Sequence, residues 1–221
     1  MSRPREERMK RPGSTLCCLF VLLAGICLAA CGGGGGNVPG GGGIGITAAF
    51  TSSNPTPGLD SISMQPGKAV NDTFEIEVHV TDLVDFFGAA FRVVFDSTTA
   101  EFLSFDDSTS FLKNHPSSPV VNIRAVVDPA DPDSVLVVAT LQNTFGYTQG
   151  ITFTPPMDDR VLLVLIFRAT DPTGGNAFTF GTAATREVTT CEPPPTIGPT
   201  PACITVPDGN LTWNGGTMTA S

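Results

Sequence analysis

A chain of 221 residues with 21 acidic against 12 basic side chains carries a net charge of −9. That balance excludes nucleic acid as a partner, because affinity for a phosphate backbone comes from Lys and Arg. Of the acidic residues only Glu6 and Glu7 precede Cys31. Nineteen therefore remain after it, against Lys68, Arg92, Lys113, Arg124, Arg160, Arg168 and Arg186. From Cys31 onward about 190 residues are left, enough for one domain with a substantial core.

The chain opens on a basic stretch, Arg3, Arg5, Arg8, Lys10 and Arg11, followed by an uncharged run from Leu16 to Ala30. About 15 residues of helix rise only ~22 Å, short of the ~30 Å hydrocarbon core of a bilayer. A basic start, a short apolar run and a small-residue end predict a secretory signal over residues 1–30. Leu28-Ala29-Ala30-Cys31 resembles the lipobox of bacterial lipoproteins. The resemblance implies that the signal is removed and that Cys31 carries lipid as the new N-terminus, the chain's only link to a membrane. Gly32, rather than Asp, follows it, which by the same resemblance favours the outer membrane or cell surface. Residues 31–43 are nearly all glycine after the cysteine, a flexible tether with a reach of roughly 20 Å.

From residue 44 the pattern is one of strands. In Thr73 to Thr81, Phe74, Ile76, Val78 and Val80 alternate with Glu75, Glu77 and His79, the signature of a half-buried strand. Phe86 to Phe95, Glu101 to Phe105, Val120 to Val127, Ser134 to Leu141 and Val161 to Ala169 repeat the theme. Phe178 and Phe180 alternate again, and Leu211, Trp213 and Met218 fall in the closing stretch. Asp96-Ser97, Asp128-Pro129, Asp131-Pro132-Asp133, Asp171-Pro172 and Thr173-Gly174-Gly175-Asn176 supply the turn chemistry between them. A short helical turn is expected near Ser97 to Ala100, and no sustained helical period elsewhere. The fold class predicted for residues 44–221 is all-β, a single sandwich.

Cys191 and Cys203 bracket a Pro-rich loop and are the cysteines left after the signal and the lipid are accounted for. Outside the cytoplasm they are expected to form a disulfide. The sequence gives little to a catalyst. His79 reads as a solvated strand position beside Glu77, and His115 as a loop residue. No Gly-x-Ser-x-Gly elbow is present, and the pairs Asp106-Asp107 and Asp158-Asp159 lie in turn-like segments rather than across a cleft. No cofactor is expected. Asp128, Asp131 and Asp133 could offer oxygens to a structural calcium ion, though the same residues describe a tight strand connection.

Asn71-Asp72-Thr73-Phe74-Glu75-Ile76-Glu77-Val78 is similar to the opening strand of cohesin domains. Phe87 to Asp96 resembles the family's next strand, which ends in an aromatic followed by Asp, and Thr99 to Phe105 the segment after it. Val161 to Ala169 matches a later strand, and Asn210 to Ala220 stands where the family's last strand closes the sheet. The chain departs from the pattern in having Asn71 where the family has Gly, and in the Pro-rich loop, which looks like an insertion before the last strand. The resemblance implies a jelly-roll-like sandwich of about nine strands, and a non-catalytic module that holds a dockerin on a partner protein, often an enzyme of polysaccharide degradation. Dockerins fold around calcium. It also implies a partner-binding sheet built in part from the strands at 87–96, 120–128 and 134–141. Alternation sets Arg92, Asn122 and Arg124 on one side of those strands, with Val94 and Val126, and these three are the candidate contact residues. The same superfamily contains cellulose-binding modules, so carbohydrate binding through Tyr147 and Trp213 is the alternative, and a structural or adhesive surface domain another.

Overall fold

The structure, a computed structural model, describes residues 45–116, 120–142, 149–153, 158–192 and 203–221. Among the described residues no helix is long and apolar enough to cross a membrane. Thirteen strands among the described residues make up two sheets. They are β1 (Ala48–Ser52), β2 (Ser61–Val70), β3 (Thr73–Thr81), β4 (Phe86–Val94), β5 (Ala100–Asp106), β6 (Val121–Asp128), β7 (Asp131–Leu141), β8 (Asp159–Ala169), β9 (Gly175–Phe180), β10 (Glu187–Cys191), β11 (Cys203–Thr205), β12 (Thr212–Asn214) and β13 (Gly216–Ala220). The all-β sandwich expected from the sequence is present. It has more strands among the described residues than the nine or so expected.

The smaller sheet runs β12-β2-β3-β8-β5, with β12 parallel to β2 and every other neighbour antiparallel. In the larger sheet, β6 pairs with β7 and β7 with one edge of β4. The other edge of β4 takes two partners in tandem. β9 pairs at Val93 and Val94, and β10 at Phe86 to Ala90. From β9 the sheet continues to β13 and β1, and from β10 to β11. The link between β9 and β10 is a 3-10 turn over Ala183–Thr185, and a second such turn spans Asp208–Asn210. The helical turn expected near Ser97 is a single turn, in which the Thr99 and Ala100 amides donate to the Asp96 carbonyl.

Phenylalanines join the two sheets. Phe74, Phe102 and Phe167 come from β3, β5 and β8; Phe50 and Phe178 come from β1 and β9, and Phe95 follows β4. Phe167 and Phe178 meet edge-on at 4.9 Å between ring centroids, and Phe95 stacks on Phe178 at 5.7 Å. Phe74, Phe167 and Phe178 are fully buried. Such ring pairs add to the burial of large apolar area.

The β2–β3 hairpin turns at Asn71-Asp72, and Asn71 has φ 56°. That is the left-handed region, which Gly enters freely and Asn tolerates. Asn in place of the family's Gly therefore keeps the turn.

Truncating Phe178 to Ala removes a ring that touches both sheets. The expected loss is about 3–5 kcal/mol, read as a shift in the denaturation midpoint at unchanged m value.

Candidate functional site

Residues of β4, β6 and β7 alternate between the core and the outside. Ile123, Ala125, Val135, Val137, Ala139, Ala89, Phe91 and Val93 are buried. The residues between them form three cross-strand rows on the outer face. Register pairs Asn122 with Thr140 and Thr140 with Gly88; Arg124 with Val138 and Val138 with Ala90; Val126 with Leu136 and Leu136 with Arg92. The structure thus brings Arg92, Asn122 and Arg124 together on one face, and that face is the outer one. Val126 (53% exposed) and Val138 (38% exposed) share it.

The tandem pairing on β4 gives this face relief. After β9 leaves β4, the Gly181 amide makes a last bond to the Arg92 carbonyl at 2.9 Å. The chain then steps off the sheet through Ala183–Thr185 and returns at Glu187, opposite Ala90. A side chain at Gly181 would meet Thr185 Oγ1 at 2.3 Å and Arg92 Cβ at 3.2 Å, so only glycine lets the turn lie this close. Between the turn and β7 lies an open groove of about 500 Å³, floored by Ala90, Leu136 and Val138 and walled by Ala183 and Ala184. An apolar floor within a polar surround is the anatomy of a protein interface.

Arg92 is also part of an ion pair. Its Nη2 lies 2.7 Å from Oδ2 of Asp128, a buried carboxylate whose Oδ1 accepts the Ala130 amide. Removing Arg92 would leave that carboxylate without its cation, a defect of stability. Arg124 is exposed and donates to the carbonyl of Ile123.

The remaining candidates fall elsewhere. Asp128, Asp131 and Asp133 do not converge. Asp131 Oδ1 accepts the Asp133 amide at 3.3 Å, and Asp133 Oδ1 accepts the Ser97 amide at 3.0 Å and its hydroxyl. Among the described residues no group of three His, Cys, Asp or Glu side chains could hold a metal ion. The segment is the tight β6–β7 connection instead, with Asp128 facing Asp131. Trp213 is no open stacking platform. It packs edge-on against Phe180 at 5.0 Å and Phe91 at 5.9 Å, with the Arg186 guanidinium 5.0 Å over its ring. Arg186 is held there by Asp208, which accepts from Nε at 2.6 Å and from Nη2 at 2.8 Å. Cys31 and Tyr147 lie outside the described residues. Cys191 and Cys203 form the expected disulfide, and the two cysteines face each other in the antiparallel β10–β11 pair, which extends the larger sheet.

His79 was expected to be solvated. It is half-buried on the outer side of the smaller sheet, with Nδ1 2.7 Å from Asp159 Oδ2 and Nε2 2.9 Å from Glu77 Oε2. Thr81 Oγ1 donates to the other Asp159 oxygen at 2.8 Å. Asp159 begins β8 rather than lying in a turn, and the β3–β8 register sets it beside Thr81. Sequence offered the Glu77–His79 spacing but not the partner eighty residues on. Burial works to lower the His79 pKa, but the hydrogen bonds and charges of Asp159 and Glu77 outweigh it and hold it above 6.5. Burial opposes the Asp159 carboxylate too, yet the bonds from His79 and Thr81 and the imidazolium charge hold it below its usual 3.8.

Neither the protein-family models nor the curated proteins contain a match to this chain. Solved structures do. The third cohesin of ScaC from Acetivibrio cellulolyticus, in complex with the ScaB dockerin, is similar at 12% identity, covering 65% of this chain and 86% of that one, with a TM-score of 0.42. The second type II cohesin module of the ScaA scaffoldin from the same organism is similar at 8% identity, 65% and 78% coverage and a TM-score of 0.41. CaCohA2 of Clostridium acetobutylicum is similar at 15% identity, 78% and 90% coverage and a TM-score of 0.39. The folds this chain resembles are cohesin modules.

A raised histidine pKa stabilises the fold below the unfolded value near 6.5 and ceases to do so as pH rises through the folded one. A lowered aspartate pKa contributes above about 3.8 and is lost as pH falls. The cluster therefore contributes most between about pH 4 and pH 6.5. Melting curves of the chain and of His79→Gln are expected to differ most at pH 6 and to converge as pH rises toward 9.

Proposed function

We propose that this chain is a non-catalytic binding module of cohesin type, anchored by lipid outside the cytoplasm, that holds a dockerin-type protein partner on the outer face of β6, β7 and β4. What carries this reading is the face itself. It sets an open, aliphatic-floored groove and three polar side chains (Arg92, Asn122, Arg124) on the strands from which the cohesin resemblance implies a partner-binding sheet. Apolar surface of this kind, rimmed by polar groups, marks interaction sites. Carbohydrate binding has less support, since Trp213 is packed among Phe91, Phe180 and Arg186. The lipid anchor rests on Leu28-Ala29-Ala30-Cys31, and a disulfide on the same chain fits an oxidising compartment. A link to polysaccharide degradation would come through the enzyme that carries the dockerin.

Calorimetric titration with dockerin modules encoded in the same genome tests the binding reading. Saturable binding in calcium, abolished by chelator and weakened at least about tenfold by Val138→Arg, is the expected result. If no dockerin binds, or binding ignores Val138→Arg, the reading is wrong. Separately, radiolabelled palmitate fed to the expressing cells should label the chain and not its Cys31→Ala variant, which should leave the detergent phase.

A further inference from the structure

The docking face is electrically lopsided. Its middle row runs Arg124, Val138, Ala90, Glu187 over four adjacent strands, a span of about 14 Å at roughly 4.8 Å per strand. Val138 and Ala90 floor the groove, so Arg124 stands directly beside its apolar floor and Glu187 at the far side. Each is held by neutral partners alone among the described residues: Arg124 donates to the Ile123 carbonyl at 3.1 Å. Glu187 accepts the Thr205 hydroxyl at 2.8 Å. Arg92, Lys113, Arg160, Arg168 and Arg186 each meet a carboxylate. Arg124 makes no such pair among the described residues.

A partner that fills the groove and extends over Val138 onto β6 covers Arg124, the cross-strand neighbour of Val138. Covering a guanidinium without an acceptor strands a desolvated cation. The acceptor that matches its planar donor set is a carboxylate, which can take two parallel N–H bonds. A broadly acidic partner is repelled by a chain with nineteen acidic against seven basic residues from Cys31 onward, so the match is local. From this we infer that the partner of this face is a protein segment that seats one aliphatic side chain in the groove and sets a single Asp or Glu against Arg124. This rests on the reading of the face as a docking surface. It adds a charge requirement that the reading alone does not contain.

A displayed library of randomised helical peptides, selected against the full chain in detergent micelles and counter-selected on Val138→Arg, separates the two. The inference expects enriched peptides with an acidic residue at one fixed spacing from an aliphatic one. It also expects their affinity to fall about tenfold or more with Arg124→Gln, further with Arg124→Glu, and less with Arg124→Lys. Arg124 is exposed, so both neutral and reversed-charge variants should keep the circular dichroism of the parent. Peptides that need Val138 but ignore Arg124 substitutions would overturn the charge requirement and leave the docking face standing. Peptides indifferent to Val138→Arg, or no enrichment at all, would overturn both. Sedimentation of the chain alone is the remaining arm. Self-association lost in Arg124→Glu would make the occupant a second copy and overturn the inference of a separate partner.

Discussion

The contact on which the rest depends is the meeting of Phe167 with Phe178. One ring hangs from the smaller sheet and the other from the larger, at 4.9 Å. Phe74, Phe95 and Phe102 each lie within 5.8 Å of one or both. Sheets with one apolar face have no stable existence apart, and aromatic pairs fix their separation and angle as well as burying area. Once β8 and β9 are held face to face, β3 and β5 follow by pairing with β8, and β13 by pairing with β9.

The groove is a consequence of how β4 is shared. A central strand with one long partner on each edge would give a flat outer face. Here β9 stops at Phe180 and the edge is not resumed until Glu187, so the backbone between has to leave the sheet. A second aromatic cluster beneath allows the interruption. Phe91, Phe180 and Trp213 pack under it, and Arg186, clamped by Asp208, closes over the indole. The turn is held at its base by this packing, and its alanines are left outside as the groove's wall.

Much of this was legible in the residues, and what was not has physical reasons. β3 spans the residues that alternation marked, because one side faces phenylalanines and the other faces water or charge. Arg92, Asn122 and Arg124 share one side, as alternation implies, for the same reason: period two leaves no freedom once Phe91 and Ile123 face the core. β2 escaped because it does not alternate. Ser61, Ser63 and Gln65, on its outer side, are buried too, under a segment whose Gly58 and Asn54 carbonyls accept from Ser61 and Gln65. Pro66 and Gly67 also speak against a strand, and they are tolerated where the β2–β3 register shifts. β10 and β11 hid behind threonines and a Pro-rich link. Trp213 looked available because a lone Trp near a chain end carries no sign of its neighbours; Phe91 and Arg186 lie far from it in sequence. His79 failed likewise, since Asp159 reaches it only through the β3–β8 register.

The two outer faces differ in what it would cost to cover them. On the smaller sheet, Glu77, His79, Thr81 and Asp159 form one hydrogen-bonded chain, and Glu101 meets Arg168 toward the other end of β8. Pressing a partner there would desolvate groups already satisfied by each other, with penalties that ion pairs seldom recover. The larger sheet offers Ala90, Leu136, Val126 and Val138, whose burial is favourable, and its Arg92–Asp128 pair lies mostly beneath the surface already. Arg124, which meets no carboxylate among the described residues, stands at the border of that apolar strip. The same alternation that buries Ile123 and Val137 thus sorts the polar residues of β6 and β7 to the outside, leaving one face that gains by being covered and another that does not.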